Sequence, residues 1–215
     1  MNDAQSRSIS KLRHLSVCHV MDALGDSCAI ETAIHPIDPH FRICGSAFTV
    51  ECAPGDNLTL HHALHLAQPD DVLVVCSPRQ CEVALWGELM SISAQSKRLA
   101  GTIIDGPVRD PLEIRTLGYP VFCRDFQPRR AAKNQYGSIN VPIRVGAISI
   151  SPRDVILADA NGIVCIPRRQ MEEVLRLASS VVQKENSIKQ QIREGRTIFD
   201  AFSLEQYVSV QVKNT

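Results

Sequence analysis

The chain has 215 residues, 44% of them hydrophobic, which is enough to bury one sizeable core. Its 23 basic and 23 acidic residues give a formal net charge of zero, so it lacks the basic excess typical of nucleic-acid-binding proteins. No apolar run reaches the length of a membrane span, and the segment MNDAQSRSIS lacks the apolar stretch of a signal peptide. We therefore expect a cytoplasmic protein without nucleic-acid or membrane partners.

Eight cysteines are spread along the sequence, and no two of them form a Cys-x-x-Cys pair. A zinc knuckle or a thioredoxin-type motif is therefore not indicated. Several cysteines stand in apolar runs such as VLVVC and GIVCIP, where a free thiol packs as a small hydrophobic group. The pattern predicts free thiols in a reducing compartment, while the even number leaves a disulfide-bonded alternative open.

The first part of the chain alternates predicted helices with predicted strands. ISKLRHLSVCHVMDALG has helical spacing, which predicts an N-terminal helix over about 8–25 that ends at Gly25. The strand FRICGSAFTVECAPGD leads into the short helix NLTLHHALHLA, with Asn57 as its predicted N-cap. DVLVVC and AGTIIDG predict strands buried on both faces, and CEVALWGELMSISAQSKRL between them predicts a helix. The helix PLEIRTLG, closed by Gly118, and the strand YPVFC follow.

The second part of the chain has a different sequence pattern. INVPIRVGAISISPRDVILADANGIVCIP contains short β-rich runs, and Asn161-Gly162 between two of them predicts a hairpin. A long closing helix begins at RRQMEEVLRL, so that this helix and a tail occupy about 168–215. The whole pattern predicts one α/β domain over residues 1–215, with mixed strand directions and helices packed outside.

The segment after AGTIIDG contains the candidate ligand-binding residues. A strand that leads into a helix is where α/β proteins place ligands, and here Arg109 and Asp110 stand at that junction, with Pro111 suited to the first helical position. Arg109 supplies a planar cationic fork for carboxylate, and Asp110 supplies a hard oxygen ligand for Mg²⁺ or Mn²⁺. This combination suits a 2-oxo acid, whose carboxylate and keto oxygen chelate a metal. The alternative is that Asp110 caps its helix and Arg109 pairs with a neighbouring acid.

Six segments in order, APGDN, DVLVV, ALWGELMS, GTIIDGPVRDPLEIRTLGYPVF, NVPI and DVILADANGIVCIP, resemble the RraA-like family from about Val20 to Val174. That family contains class II 4-hydroxy-4-methyl-2-oxoglutarate (4-carboxy-4-hydroxy-2-oxoadipate) aldolases, which also decarboxylate oxaloacetate. It also contains proteins described as regulators of ribonuclease E. The resemblance implies a domain of the swivelling β/β/α type, and a homotrimer or hexamer with sites between subunits.

The aldolase branch is characterised by a carboxylate, twenty residues and then Arg-Asp, and here Glu88 precedes Arg109-Asp110 at that spacing. The resemblance implies that Asp110 ligates Mg²⁺ or Mn²⁺ and that Glu88 acts on the metal through water. Arg109 would bind substrate and stabilise an enolate. The backbone around Gly87, Leu89 and Met90 would hold the substrate carboxylate. The implied function is a metal-dependent lyase that releases pyruvate from 2-oxo acids, and the alternative is a non-catalytic regulator that inhibits an RNA-processing ribonuclease.

The sequence departs from that family in two places. Glu88 stands where the best-known aldolases have Asp, and its longer side chain changes the expected geometry around a metal-bound water. The segment CSPRQCEVA replaces a Gly-Gly stretch, and its Arg79 is either a further carboxylate contact or a solvated loop residue.

Other polar residues have two interpretations each. Glu113 either completes a capping box with Asp110 or orients a metal-bound water. His61 and His65 have a spacing that can chelate zinc, but they lack the Glu of a His-Glu-x-x-His motif and are expected on a helix surface or an interface. Asp105 either interacts with the charge of Arg109 or accepts hydrogen bonds from the amides of the turn. Trp86 is expected in the core.

Overall fold

The computed structural model describes residues 3–25, 28–30, 33–77 and 82–212. The helices are α1 (Asp3–Leu12), α2 (Val17–Leu24), α3 (Leu58–Leu66), α4 (Glu88–Ser96), α5 (Pro111–Leu117), α6 (Met171–Arg193), α7 (Ile198–Ala201) and α8 (Glu205–Val212). The strands are β1 (His35–Pro36), β2 (Ile43–Glu51), β3 (Asp71–Cys76), β4 (Gly101–Val108), β5 (Val121–Phe126), β6 (Ser138–Ile139), β7 (Ile143–Val145), β8 (Ile148–Ile150), β9 (Val155–Asp159) and β10 (Gly162–Ile166).

One mixed sheet organises the molecule, with the strand order β1-β5-β4-β3-β2-β9-β10 and β6 beside β2. Strands β2 to β5 are parallel, whereas β1, β6, β9 and β10 are antiparallel to their neighbours. Strands β7 and β8 form a separate hairpin. This architecture confirms the predicted α/β domain of mixed β-sheets with flanking helices.

Apolar residues on the two faces of the sheet pack into separate clusters. Successive side chains of a strand point to opposite faces, and β9 shows this directly. Its Val155 and Leu157 pack with α1, α2 and α6, whereas Ile156 and Ala158 join the larger cluster that contains α3, α4 and α5. The sheet is therefore covered by helices on both faces.

The parallel strands determine where a site can form. Helices α3, α4 and α5 each connect one parallel strand to the next, so the carboxyl ends of β3, β4 and β5 meet at the same edge of the sheet. Ligands of α/β proteins bind at this edge.

The predicted N-terminal helix over about 8–25 is wrong as a single element, because the structure has α1 and α2 instead. Ser16 separates them as an N-cap whose Oγ accepts a hydrogen bond from His19 N–H at 3.2 Å. In return, His19 Nδ1 accepts a hydrogen bond from Ser16 N–H at 3.1 Å. This reciprocal capping box starts a new helix inside the predicted one.

The helix predicted over CEVALWGELMSISAQSKRL begins later than expected. Ala84 and Trp86 are extended and form isolated parallel bridges with Arg130 and Val108, and α4 starts only at Glu88. Gly87 has the extended dihedrals φ −166° and ψ −170°, which end the bridging segment and place Gly87 at the N-cap. The apolar spacing of this segment reflects burial next to β4, and helical structure is confined to its second half.

Two turn predictions also need correction. The hairpin at Asn161-Gly162 exists, but Gly162 pairs with Asp159, so Ala160 and Asn161 occupy the turn. Asn57 stands at the N-cap of α3, yet its side chain makes no cap hydrogen bond and donates through Nδ2 to Leu85 O at 2.9 Å.

The cysteines within the described ranges are free thiols, namely Cys18, Cys28, Cys44, Cys52, Cys76, Cys123 and Cys165. Among the same residues, no helix combines the length and the apolar character that crossing a membrane requires.

Candidate active site

Backbone pairing brings the two halves of the candidate site together. Residues 84–86 run parallel to the end of β4, where Leu85 N–H donates to Pro107 O at 3.1 Å. Arg109 N–H then donates to Trp86 O at 3.0 Å. Beyond this pairing the two segments remain adjacent, so the N-terminus of α4 lies against Arg109 and Asp110.

The Asp110 carboxylate links these two halves. Asp110 is the N-cap residue of α5 and adopts a left-handed conformation, with φ 58° and ψ 47°, but its side chain makes no cap hydrogen bond to this helix. Its Oδ2 instead accepts hydrogen bonds from Glu88 N–H and from Arg109 Nε, each at 3.1 Å. One half of the expected alternative, a side-chain cap of α5 by Asp110, is therefore wrong, whereas the other half is confirmed because Arg109 pairs with a neighbouring acid, Asp110 itself. The carboxylate stabilises the start of α4.

Position 87 requires glycine because there is no space for a side chain. A Cβ atom at this position would lie 2.7 Å from Asp110 Oδ2 and 2.9 Å from Arg109 Cγ. Its φ is extended, so conformational freedom is not the reason for glycine here. The close approach of the two segments depends on the missing side chain.

The first turn of helix α4 lies at the site with backbone amides that have no hydrogen-bond partner among the residues the structure describes. The first four N–H groups of a helix have no intrahelical partner, and Asp110 takes the one from Glu88. The amides of Leu89 and Met90 occupy the following positions of the first turn, where the helix dipole adds partial positive charge. This arrangement suits a carboxylate ligand.

The Trp86 side chain holds the start of α4 in place. Its indole Nε1 donates to Ser91 Oγ at 2.7 Å, and Ser91 Oγ donates to Gly87 O at 3.1 Å. The ring is 1% exposed and stacks on Tyr119 with 6.4 Å between ring centroids. Trp86 therefore belongs to the core, as predicted.

A cavity of about 210 Å³ lies at this junction. Arg109, Asp110 and Glu88 all line it. The backbone positions expected to hold a carboxylate line it too, namely Gly87, Leu89 and Met90.

Two of the candidate acids lie elsewhere. Glu113 is exposed and is not among the residues that line the cavity. Asp105 forms an ion pair with Arg124, so it does not pair with Arg109. Arg79 lies outside the described residues.

The carboxylates fit a magnesium-type ion. Asp110 Oδ2 is engaged by two N–H donors, but Oδ1 has no hydrogen bond within the described part of the chain, and the side chain is 29% exposed at the cavity. Mg²⁺ is usually held by one or two carboxylates and several waters, which Asp110 and Glu88 can provide. Within the described ranges, no group of three His, Cys, Asp or Glu side chains is arranged to hold a metal.

Four polar residues that line the cavity were not predicted as part of this site: Asn57, His61, Arg130 and Lys133. His65 is exposed and does not line this cavity, whereas both histidines line a neighbouring cavity of about 260 Å³. Burial and the neighbouring Lys133 ammonium lower the pKa of His61. The only sequence signal for Arg130 and Lys133 is the basic run RRAAK, which predicts no particular site.

Comparison with known proteins gives a consistent picture. The family model described as "RraA-like: Aldolase/RraA" matches residues 17–165. A protein of Halalkalibacterium halodurans named "Putative 4-hydroxy-4-methyl-2-oxoglutarate aldolase" is 34% identical over 178 residues, which cover 83% of this chain and 85% of that protein. 

Two solved structures have a similar fold. An uncharacterized protein from Pseudomonas syringae pv. tomato has a TM-score of 0.83 and 29% identity, covering 92% of this chain and 93% of that one. The RNA-processing inhibitor RraA from Thermus thermophilis has a TM-score of 0.65 and 25% identity, covering 70% and 91%.

Proposed function

The chain belongs to the RraA-like family, and on that premise we propose that it is a divalent-metal-dependent lyase that cleaves carbon–carbon bonds of 2-oxo acids to give pyruvate. The reactions proposed are the retro-aldol cleavage of 4-hydroxy-4-methyl-2-oxoglutarate and the decarboxylation of oxaloacetate. One observation carries the proposal: a single Asp110 carboxylate joins Arg109 to the N-terminus of α4 at the wall of a cavity.

Substrate binding would use the two anion-binding elements of this wall. The amides of Leu89 and Met90 and the guanidinium of Arg109 accept a carboxylate without a large rearrangement, because backbone pairing already fixes both segments. Asp110 and Glu88 would hold Mg²⁺ or Mn²⁺, with Glu88 acting through water. A cation held there would supply polarisation of the keto oxygen of the 2-oxo acid.

The proposed bond cleavage would use these same groups. In the retro-aldol reaction a base removes the 4-hydroxyl proton, the C3–C4 bond breaks, and its electrons remain on the pyruvate fragment as an enolate. In oxaloacetate the same bond breaks with release of CO₂. The Arg109 guanidinium stabilises the enolate charge, and protonation at C3 then gives pyruvate. A water held by Glu88, or an acid of a neighbouring subunit, is the proposed base for the hydroxyl proton.

The test is pyruvate release from both substrates, followed with Mg²⁺ and then with EDTA. We expect metal-dependent release that is lost in Arg109→Ala. Arg129→Ala is the matched control, because Arg129 pairs with Glu82 at 3.7 Å and does not line the cavity. Absence of release from either substrate, combined with co-purification of a ribonuclease, would favour the regulator function instead.

The proposed assembly is a homotrimer or hexamer. Static light scattering measures it, and a monomer would exclude a base supplied by a neighbouring subunit.

A further inference from the structure

A second cavity, of about 500 Å³, lies at the edge of the sheet opposite the candidate active site. Most of the residues that line it stand just before β2, β3, β4 and β5 or at the first positions of these strands, whereas the catalytic cavity lies at their carboxyl ends. Strand β4 has 8 residues, so roughly 23 Å of strand separates the two edges. Among the described residues, the two cavities share no lining residue.

Three arginines from separate segments line this second cavity, namely Arg13, Arg42 and Arg98. The only acid among its described lining residues is Asp70, which pairs with Arg13 at 2.5 Å in an exposed contact. Arg42 Nη2 donates to Leu15 O at 2.7 Å, which orients its guanidinium. The Arg98 side chain is exposed and makes no hydrogen bond or ion pair with the described part of the chain. Three cations against one carboxylate leave a net charge of +2 at the cavity.

The interior of the cavity is apolar. Tyr119 is 1% exposed, and its hydroxyl group is hydrogen-bonded to Thr102 Oγ1 at 2.9 Å, so it offers its ring rather than a free hydroxyl. Burial raises the pKa of the Cys44 thiol in this wall to about 12, and the charges of Arg13 and Arg42 act in the opposite direction. Both guanidiniums therefore lie near the same part of the wall. The other apolar lining residues are Ile43, Leu99, Ala100, Pro120 and Leu157.

Arg98 occupies a backbone position that favours glycine. Leu99 N–H donates to Ala94 O at 3.0 Å and Arg98 N–H donates to Gln95 O at 2.9 Å, which is the hydrogen-bond pattern of a Schellman motif at the end of α4. Arg98 has the left-handed conformation of this motif, with φ 58°. Glycine adopts this conformation without steric strain, whereas arginine does not. An arginine that stands here against local preference, with its side chain at a cavity, indicates a role in binding.

The backbone around the arginines is already fixed. Asp70 N–H donates to Arg98 O at 2.9 Å, and Ala100 N–H donates to Asp71 O at 2.8 Å. The Asp70 carboxylate also holds Arg13, so binding a ligand requires ordering of side chains only. Arg13 precedes residue 17, where the match to the family model begins, so the complete cavity is not contained in the matched region.

Charge and shape select the class of ligand. A phosphate monoester carries about −1.5 to −2 charge at neutral pH and presents three acceptor oxygens. Guanidinium groups bind such oxygens in pairs, and three guanidiniums surround this cavity. The apolar wall offers burial to an organic group, and the volume is that of a small-molecule site. A monocarboxylate has only two oxygens and one charge, which would leave part of the positive charge unmatched.

We infer that this cavity is a second ligand site that binds a small organic phosphate monoester, with the phosphate held by Arg13, Arg42 and Arg98 and the organic group against the apolar wall. The site is separate from the catalytic cavity, and binding there does not depend on lyase activity.

The binding test uses phenyl phosphate as the probe, titrated by calorimetry with EDTA present and at constant ionic strength. We expect one saturable site per chain. Inorganic phosphate should bind more weakly, because it has no apolar group to bury. Phthalate, an aromatic dicarboxylate, should also bind more weakly, because neither of its carboxylates presents three oxygens. Equal or tighter binding of inorganic phosphate or of phthalate would overturn the assignment to a phosphate ester.

Arg98→Gly is the decisive variant, because glycine suits this backbone conformation and the change removes only the side chain. We expect a thermal midpoint that is not lowered, together with an affinity for phenyl phosphate that falls by roughly three- to tenfold, since the contacts are charge-assisted but partly solvated. Arg13→Gln should weaken binding by a similar factor. Unchanged affinity in both variants would overturn the site.

Two control variants distinguish this site from the opposite edge. Arg129→Gln neutralises a cation that pairs with Glu82 and whose carbonyl accepts a hydrogen bond from Ala84, beside the catalytic cavity. Arg109→Ala alters the catalytic cavity itself. Both should bind phenyl phosphate as the wild-type protein does. Loss of binding in Arg109→Ala would mean that the probe occupies the catalytic cavity, and it would overturn the second site.

Discussion

Replacement of Gly87 by alanine tests the central geometry of the site with one methyl group. The added Cβ would lie 2.7 Å from Asp110 Oδ2 and 2.9 Å from Arg109 Cγ, whereas ordinary contacts begin at 3.4 Å. The carboxylate oxygen must therefore retreat by about 0.7 Å, and it is the atom that accepts hydrogen bonds from Glu88 and Arg109.

The expected loss follows from that displacement. A misplacement of about 1 Å at a catalytic group costs about 100-fold in rate, so we expect kcat/KM for pyruvate release to fall by roughly 30- to 100-fold. Overpacking of this kind costs about 1–3 kcal/mol of stability, which a thermal melt detects without unfolding the protein at assay temperature.

Gly106→Ala is the matched control. Gly106 is a buried glycine of β4, and a Cβ there meets Leu85 Cδ1 at 3.6 Å and Ile104 Cγ2 at 3.7 Å, which are ordinary contacts. We expect this variant to keep the wild-type rate within about threefold, since neither catalytic segment has to move. A Gly87→Ala enzyme that releases pyruvate at the wild-type rate would refute the assignment of the Asp110–Glu88 contact to catalysis.

Three further predictions use other groups. Asp110→Asn keeps a residue type that tolerates the left-handed conformation but removes the charge, so we expect a folded protein whose Mg²⁺-dependent turnover falls by about 100-fold, measured by pyruvate release. Burial raises the pKa of the Cys44 thiol to about 12. Partial burial and the neighbouring Asp159 carboxylate also raise the pKa of the Cys18 thiol, but Cys18 is exposed to reagent whereas Cys44 is buried. Titration with a chromogenic disulfide reagent at alkaline pH should therefore lose one accessible thiol in Cys18→Ser and none in Cys44→Ala. Lys133→Gln should raise the pKa of His61 in an NMR titration, because the lysine cation disfavours the protonated ring, and an unchanged His61 pKa would contradict their proximity.

The sequence predicts the parts of the fold that depend on hydrophobic patterning. The apolar runs DVLVVC and AGTIIDG are β3 and β4, buried as expected, and the strand-to-helix junction after β4 places Arg109 and Asp110 at the predicted edge of the sheet. Patterning fails where a buried segment is extended but has helical spacing, as in residues 84–86. It fails again at Ser16, where a local capping box divides one apolar face into two helices.

Only the part of the site that carries a sequence signature could be predicted. Glu88 and Arg109-Asp110 carry a spacing that a family signature contains, and both line the cavity. The segment that carries Arg130 and Lys133 is held beside the cavity by backbone hydrogen bonds to Ala84 and to residues 55–57. These partners are distant in sequence. No local pattern encodes such contacts, so a basic run of this kind cannot be distinguished from a solvated loop without the fold.

The conformation of Asp110 connects stability with function in this protein. A left-handed conformation costs an ordinary residue about 1–2 kcal/mol, and here the side chain makes no cap hydrogen bond to its own helix in return. The carboxylate instead satisfies the first amide of α4 and the Arg109 guanidinium, and Gly87 gives up a side chain to allow this contact. Three departures from local preference thus converge on one oxygen atom. Such convergence is expected where a structure is arranged to bind a ligand. If stability alone were needed, an Asp110 side chain that capped α5 would be the simpler arrangement.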